Sequence, residues 1–186
     1  MPPRHTRPAD SNEIENLILA TFGKDEALEI LPLVDGLLNA PTDPPVISLV
    51  SAEHDQIDGF IAFSPVFPES ASGICGYILA PLAVLPAHQR QGIGSLLIKH
   101  GLTSLAERNA DLVLVYGNPH YYGRFGFEGA IAEAFQPPFE MAYPAAWQGC
   151  CWTAAPCREH RSVLSLCLLL TTQHYGSSIR DRGSRP

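Results

Sequence analysis

Apolar positions along this chain switch between two spacings, and each switch marks the edge of an element. Ile14, Leu17, Ile18 and Phe22 recur at helical intervals, which predicts an amphipathic helix. Asp10, with Glu13 three residues on, has the form of an N-terminal capping arrangement for it. A second helix is predicted over residues 25–39, with Pro32 expected to kink it or split it in two. The Pro-rich stretch 40–45 reads as a loop. Residues 46–52 and 59–66 read as two strands joined by a turn at 55–58, and residues 5–7 as the end of a short first strand. A turn at 68–73 leads into a long apolar strand over 74–85.

From about residue 92 to 108 the period returns to that of a helix, with Leu97, Ile98, Leu102, Leu105 and Ala106 forming a broad apolar stripe. Residues 112–116 are apolar throughout, as in a strand buried on both faces. Strand, crossover helix and strand in that order imply a parallel pair joined right-handedly. The expected fold is α/β in the broad sense (α+β): a mixed, mostly antiparallel central sheet with helices on both faces.

The 186 residues suit one packed domain, and 46% hydrophobic with 17% charged residues describes a globular chain rather than a disordered one. The apolar stretch at residues 163–170 is far short of the roughly 20 residues that cross a bilayer. Arg4 and Arg7 are followed by no apolar core of a signal peptide, so a cytoplasmic protein is expected, with no membrane partner. A net charge of −7 argues against nucleic acid and mildly suits a cationic amine. Five cysteines without an export signal point to reduced thiols, Cys75 as a buried one. Cys150, Cys151, Cys157 and His160 match no common ligand spacing, so no metal is expected.

The chemistry concentrates in Leu82-Ala83-Val84-Leu85-Pro86-Ala87-His88-Gln89-Arg90-Gln91-Gly92-Ile93-Gly94-Ser95-Leu96-Leu97. An apolar strand, a glycine-punctuated turn and a helix start would present free N–H groups and the positive end of a helix dipole to an anion. A dinucleotide fingerprint needs a third glycine where Leu97 stands, and a Walker loop needs a Lys that is missing. What remains, Gln89-x-x-Gly92-x-Gly94, resembles the acetyl-CoA pyrophosphate loop of the GNAT superfamily of N-acetyltransferases. Downstream, Leu112-Val113-Leu114-Val115-Tyr116-Gly117-Asn118-Pro119 leads into Tyr121-Tyr122-Gly123-Arg124-Phe125-Gly126-Phe127, similar to the superfamily's next element. With Leu-Ala-Pro-Leu-Ala-Val before the turn, the chain resembles a bacterial subgroup of that superfamily over roughly residues 5–143.

The resemblance implies acetyl transfer from acetyl-CoA, as co-substrate, to a primary amine by direct attack, without a metal. It places the pyrophosphate on Gln89, Arg90, Gln91, Gly92, Ile93, Gly94 and Ser95. It implies that pantetheine lies in a gap between the two parallel strands. Pro81 belongs at a bulge or an edge, and a bulge there would free an N–H near Ala83 or Val84, beside Leu82, for the thioester carbonyl. Asn118 resembles the residue that contacts the pantetheine arm, or else simply forms the turn before Pro119. Tyr122, four residues before Gly126, matches the tyrosine that protonates the leaving thiolate; its bland alternative is packing. Glu53, Glu128 and His88 are the base candidates, His88 placed too near the pyrophosphate turn to serve, and ordered water is the fourth. The acceptor is a small-molecule or peptide amine, and the chain a monomer or homodimer. The competing reading is a non-catalytic acyl-CoA-binding sensor or interaction domain.

The chain's end departs from the resemblance. From Cys157 onward it holds five Arg against Glu159 and Asp181, whereas residues 1–156 hold seven Lys and Arg against seventeen Asp and Glu. The acetyltransferase core is therefore expected over 1–145, followed by an atypical segment at 146–186. Residues 139–143 and 163–170 are candidate closing strands, and the last residues a disordered tail.

Overall fold

The computed structural model describes residues 2–39, 41–53, 56–68, 73–137, 140–152 and 162–166. A mixed sheet forms the centre. Strands β1 (Arg4–His5), β2 (Ile47–Glu53), β3 (Gln56–Pro68), β4 (Gly76–Val84), β5 (Leu112–Tyr116) and β7 (Trp147–Cys151) follow one another in that spatial order. Every pairing along this path is antiparallel except β4 with β5, which run parallel. Helix α3 (Ile93–Glu107) makes the crossover between them, as the apolar stripe predicted.

Helices cover both faces. Helices α1 (Ser11–Phe22) and α2 (Lys24–Asn39) bury Ile14, Leu17, Ile18, Ile30 and Val34 against Val50, Phe60, Ala62 and Ala83 of the sheet. On the opposite face Leu97, Ile98 and Leu105 of α3 pack on Leu49, Ile61, Phe63 and Val115. The even and odd positions of β3 thus serve different cores, the period-2 consequence of a strand covered twice. Among the described residues no helix is long and apolar enough to cross a membrane.

Two local expectations are narrowed or corrected. Of the two outcomes expected at Pro32 the split does not occur, since Pro32 lies inside one continuous α2. The carbonyl it cannot bond is that of Leu28, on an exposed turn where water can satisfy it. Asp10 precedes α1 without a side-chain capping bond. Its carboxylate instead accepts two bonds from the Arg4 guanidinium, at 2.7 and 2.9 Å, and the Arg7 N–H at 2.7 Å. Arg4 holds the Asp10 pKa below the ordinary carboxylate range against the opposing effect of burial. Glu13 caps nothing either; its Oε2 accepts the Ile57 N–H at 3.1 Å.

The closing strand is also relocated. Residues 140–143 belong to no strand, with Glu140, Ala142 and Tyr143 exposed, and residues 138–139 lie outside the described residues. Pro144 opens a short 3₁₀ turn, and β7 follows, pairing Trp147 with Tyr116 through Cys151 with Leu112. The Trp147 indole N–H donates to the Phe135 carbonyl at 2.8 Å. The sheet therefore continues beyond residue 145. Strand β8 (Ser162–Leu166) overlaps the expected 163–170; it pairs antiparallel with the end of β3 and parallel with β6 (Phe135–Gln136). Residues 167–186 lie outside the described residues.

Candidate active site

The site begins with how β4 is paired. Residues 76–79 lie opposite 112–115 of β5, and there the parallel ladder stops, while β4 runs on to Val84. On its other side β4 keeps β3 throughout, with one irregularity: Ile61 faces Leu82 and Phe63 faces Leu79. Two β4 residues, Ala80 and Pro81, thus oppose the single residue Ala62. This is the bulge that Pro81 predicted, at a residue that cannot donate to a ladder. Beyond it, alternation leaves Leu82 and Val84 half-buried and sends Ala83 into the α1–α2 core.

A 3₁₀ turn at Pro86–His88 then reverses the chain, and Gly92 caps α3 at φ +89°, a left-handed conformation natural to glycine. The Leu96 N–H bonds the Gly92 carbonyl at 2.9 Å, which leaves the amides of Ile93, Gly94 and Ser95 without intrahelical acceptors. These three residues border a cleft of about 580 Å³. Thr21, Phe22, Leu82, Val84, His88, Gln89, Arg90, Gly92, Ile93, Gly94, Ser95, Tyr121 and Arg124 line it. A Cβ on Gly94 would come within 2.6 Å of the Tyr121 hydroxyl, so a larger residue there would push the end of that side chain aside. Two arginines, the N-terminus of α3 and the apolar side chains of Leu82 and Val84 thus border one cleft, and a helix N-terminus favours anions.

The sequence profile of the acetyltransferase (GNAT) domain matches residues 46–129. The uncharacterized N-acetyltransferase YjhQ of Escherichia coli is 30% identical over 155 residues, covering 81% of this chain and 84% of that protein. The chain belongs to the GNAT family of acetyltransferases. The GNAT N-acetyltransferase YhbS of Escherichia coli, solved in complex with CoA, superposes with a TM-score of 0.72 at 28% identity over 88% of each chain. A GNAT acetyltransferase from Brucella melitensis, solved in complex with acetyl-CoA, gives 0.65 at 33% identity, covering 85% of this chain and 90% of that one.

Within this GNAT site most of the residues expected from the sequence converge, and some do not. Leu82, Val84, Gln89, Arg90, Gly92, Ile93, Gly94 and Ser95 all border the cleft. Ala83 turns its side chain away from it. Gln91 is exposed and folds back to donate to the Ala87 carbonyl at 3.2 Å, and Gln89 donates to the Val84 carbonyl at 3.1 Å. Asn118 caps helix α4 (Pro119–Tyr122), its Oδ1 accepting the His120 N–H at 2.9 Å, which is the turn-forming alternative. Tyr122 packs its ring over Gly117, just past β5, and edge-on to Phe127 at 5.8 Å. Of the base candidates, Glu53 and Glu128 are exposed and do not border the cleft; His88 does, at the turn.

Four cleft residues were not read from the sequence: Thr21, Phe22, Tyr121 and Arg124. Tyr121 hydrogen-bonds Ser95, and burial raises its phenol pKa despite that bond. Arg124 stands one helical turn on, over the Tyr121 ring at 4.7 Å, with its Nε donating to the Tyr121 carbonyl at 3.2 Å. The Tyr-x-x-Arg spacing carried that signal. For Thr21 and Phe22 none was available, since α1 meets the cleft only through the tertiary fold. Cys75 is half-buried rather than enclosed, with its thiol pKa raised by burial and by Asp111. Among the described residues no group of His, Cys, Asp and Glu is placed to hold a metal ion; Cys157 and His160 lie outside those residues.

Proposed function

We propose that this GNAT protein transfers the acetyl group of acetyl-CoA to a primary amine. The observation that carries the reading is the parting of β4 from β5 directly beside the open N-terminus of α3. The Ile93, Gly94 and Ser95 amides hold the diphosphate, and Arg90 and Arg124 add positive charge around it. The unpaired edge of β4 from Ala80 to Val84 offers main-chain groups to the pantetheine amides, as a neighbouring strand would. Asn118, whose Oδ1 caps α4, is the second contact we assign to that arm, through its amide N–H2.

Chemistry then needs three further functions. A main-chain N–H after the Ala80–Pro81 bulge, at Ala83 or Val84, donates to the thioester oxygen as the amine nitrogen bonds to the carbonyl carbon. Tyr122 supplies a proton to the sulfur as the C–S bond breaks. A thiolate leaves readily from a parent thiol of pKa about 8.5, so this assistance is modest. The proton lost by the amine goes to ordered water, because neither carboxylate candidate borders the cleft.

The test is release of CoA thiol from acetyl-CoA with a panel of primary amines: polyamines, amino acids, aminoglycosides and peptide amines. Turnover with at least one amine class is expected. CoA binding without turnover on any amine would favour the acyl-CoA sensor instead.

A further inference from the structure

A second irregularity in the sheet places a carboxylate where packing has no use for one. Ser51 pairs with Gly59 and Ala52 with Ile57, so Asp58 is the extra residue of a bulge in β3. Bulges re-aim a side chain, and this one turns Asp58 beneath the chain that follows β4. The Asp58 carbonyl accepts the Leu85 N–H at 2.9 Å, and its Oδ2 lies 3.8 Å from Nδ1 of His88. The Asp58 side chain is 10% exposed and that of His88 42%. Oδ1 has no hydrogen-bond partner among the described residues. Its near neighbours in β3, Ile57 and Phe60, belong to the buried apolar core. A buried carboxylate with an unmatched oxygen costs stability, and an apolar side chain of similar size would be better tolerated there.

His88 faces two ways. Nδ1 is turned to Asp58, and the ring borders the cleft beside Thr21, Gln89 and Arg90. Resting on the functional reading above, we propose that Asp58 and His88 form a side-chain anchor for a phosphate group of the acyl-CoA. Asp58 is the positioning residue, its carboxylate facing Nδ1 at 3.8 Å, and His88 binds by donating Nε2–H to a phosphate oxygen. The other charges nearby are Glu13 of α1, bonded to the Ile57 N–H, and Arg90 and Arg124 on the cleft wall. His88 thereby adds a donor to the cleft wall that Thr21 of α1 and Arg90 also line.

Calorimetry of the full chain with CoA and with 3′-dephospho-CoA tests the proposal without any acceptor. His88→Gln should weaken CoA about tenfold, the size of one charge-assisted phosphate contact, whereas His88→Lys should stay within about threefold of the unaltered chain. Asp58→Asn should weaken CoA about three- to fivefold while leaving the melting temperature unchanged or higher, a pairing of signs that a structural carboxylate would not give. Dependence on His88 that persists with 3′-dephospho-CoA assigns the diphosphate; dependence lost with it assigns the 3′-phosphate. Equal CoA affinity for the unaltered chain and His88→Gln, or lower melting of Asp58→Asn with unaltered affinity, would overturn the proposal alone. An unaltered chain that gives no heat with CoA would overturn the functional reading, and the anchor with it.

Discussion

Along β4, residues 76–79 are paired to β3 on one side and β5 on the other, whereas residues 80–84 keep only β3. The first half is core: Tyr77, Ile78 and Leu79 are buried, and Tyr77, with its phenol pKa pushed up to about 12 by desolvation, has no place in solvent chemistry. The second half is interrupted by a bulge and proline and has Leu82 and Val84 on the cleft wall. One strand thus changes from core element to cleft wall across two residues. The change comes from what lies beside it, since both halves are similarly apolar.

Substitutions in the two halves should separate stability from binding. Leu79→Ala should cost about 3 kcal/mol of stability and lower the melting temperature by roughly 6–12 °C, with CoA affinity in the still-folded protein little changed. A loss of affinity larger than the loss of stability would erase the distinction. Gly94→Val, on the cleft side, should do the reverse. Its side chain meets the Tyr121 hydroxyl and narrows the cleft, so CoA should bind about 30-fold more weakly, or ~2 kcal/mol, with melting near that of the unaltered chain. Calorimetry and thermal melting on the same samples decide this.

Smaller effects sharpen the cleft side. Tyr122→Phe should lower kcat about tenfold, or ~1.4 kcal/mol, and leave the KM for acetyl-CoA unchanged; an unaltered kcat would return Tyr122 to packing. Tyr121→Phe deletes the bond to Ser95 while keeping the ring under Arg124. It should raise that KM a few-fold, consistent with about 0.5–1 kcal/mol for one neutral hydrogen bond, with kcat retained. The two adjacent tyrosines would then be told apart by which constant moves.

The sequence made the β4–turn–α3–β5 unit legible because every signal there is local. An apolar run, a left-handed glycine, a helical stripe and a second apolar run occur in order, and Pro81 announced its own bulge. The far edge of the sheet was less legible. Trp147-Gln148-Gly149-Cys150-Cys151 has no clean alternation, and Gln148 is buried because its side chain donates to the Gly117 carbonyl at 3.0 Å. Gly149 lies against Ile131 and Leu114. Those partners lie 18 to 35 positions away along the chain, so no local pattern encodes the strand. The Asp58 bulge was hidden for the same reason: nothing near Asp58 in sequence shows that His88 will stand above it.

A crystal structure of the full chain with acetyl-CoA tests the account most directly. Diphosphate oxygens should lie about 2.7–3.2 Å from the Ile93, Gly94 and Ser95 amides, with the pantetheine beside residues 80–84 of β4. A diphosphate bound elsewhere, with the α3 N-terminus facing only side chains or solvent, would contradict it.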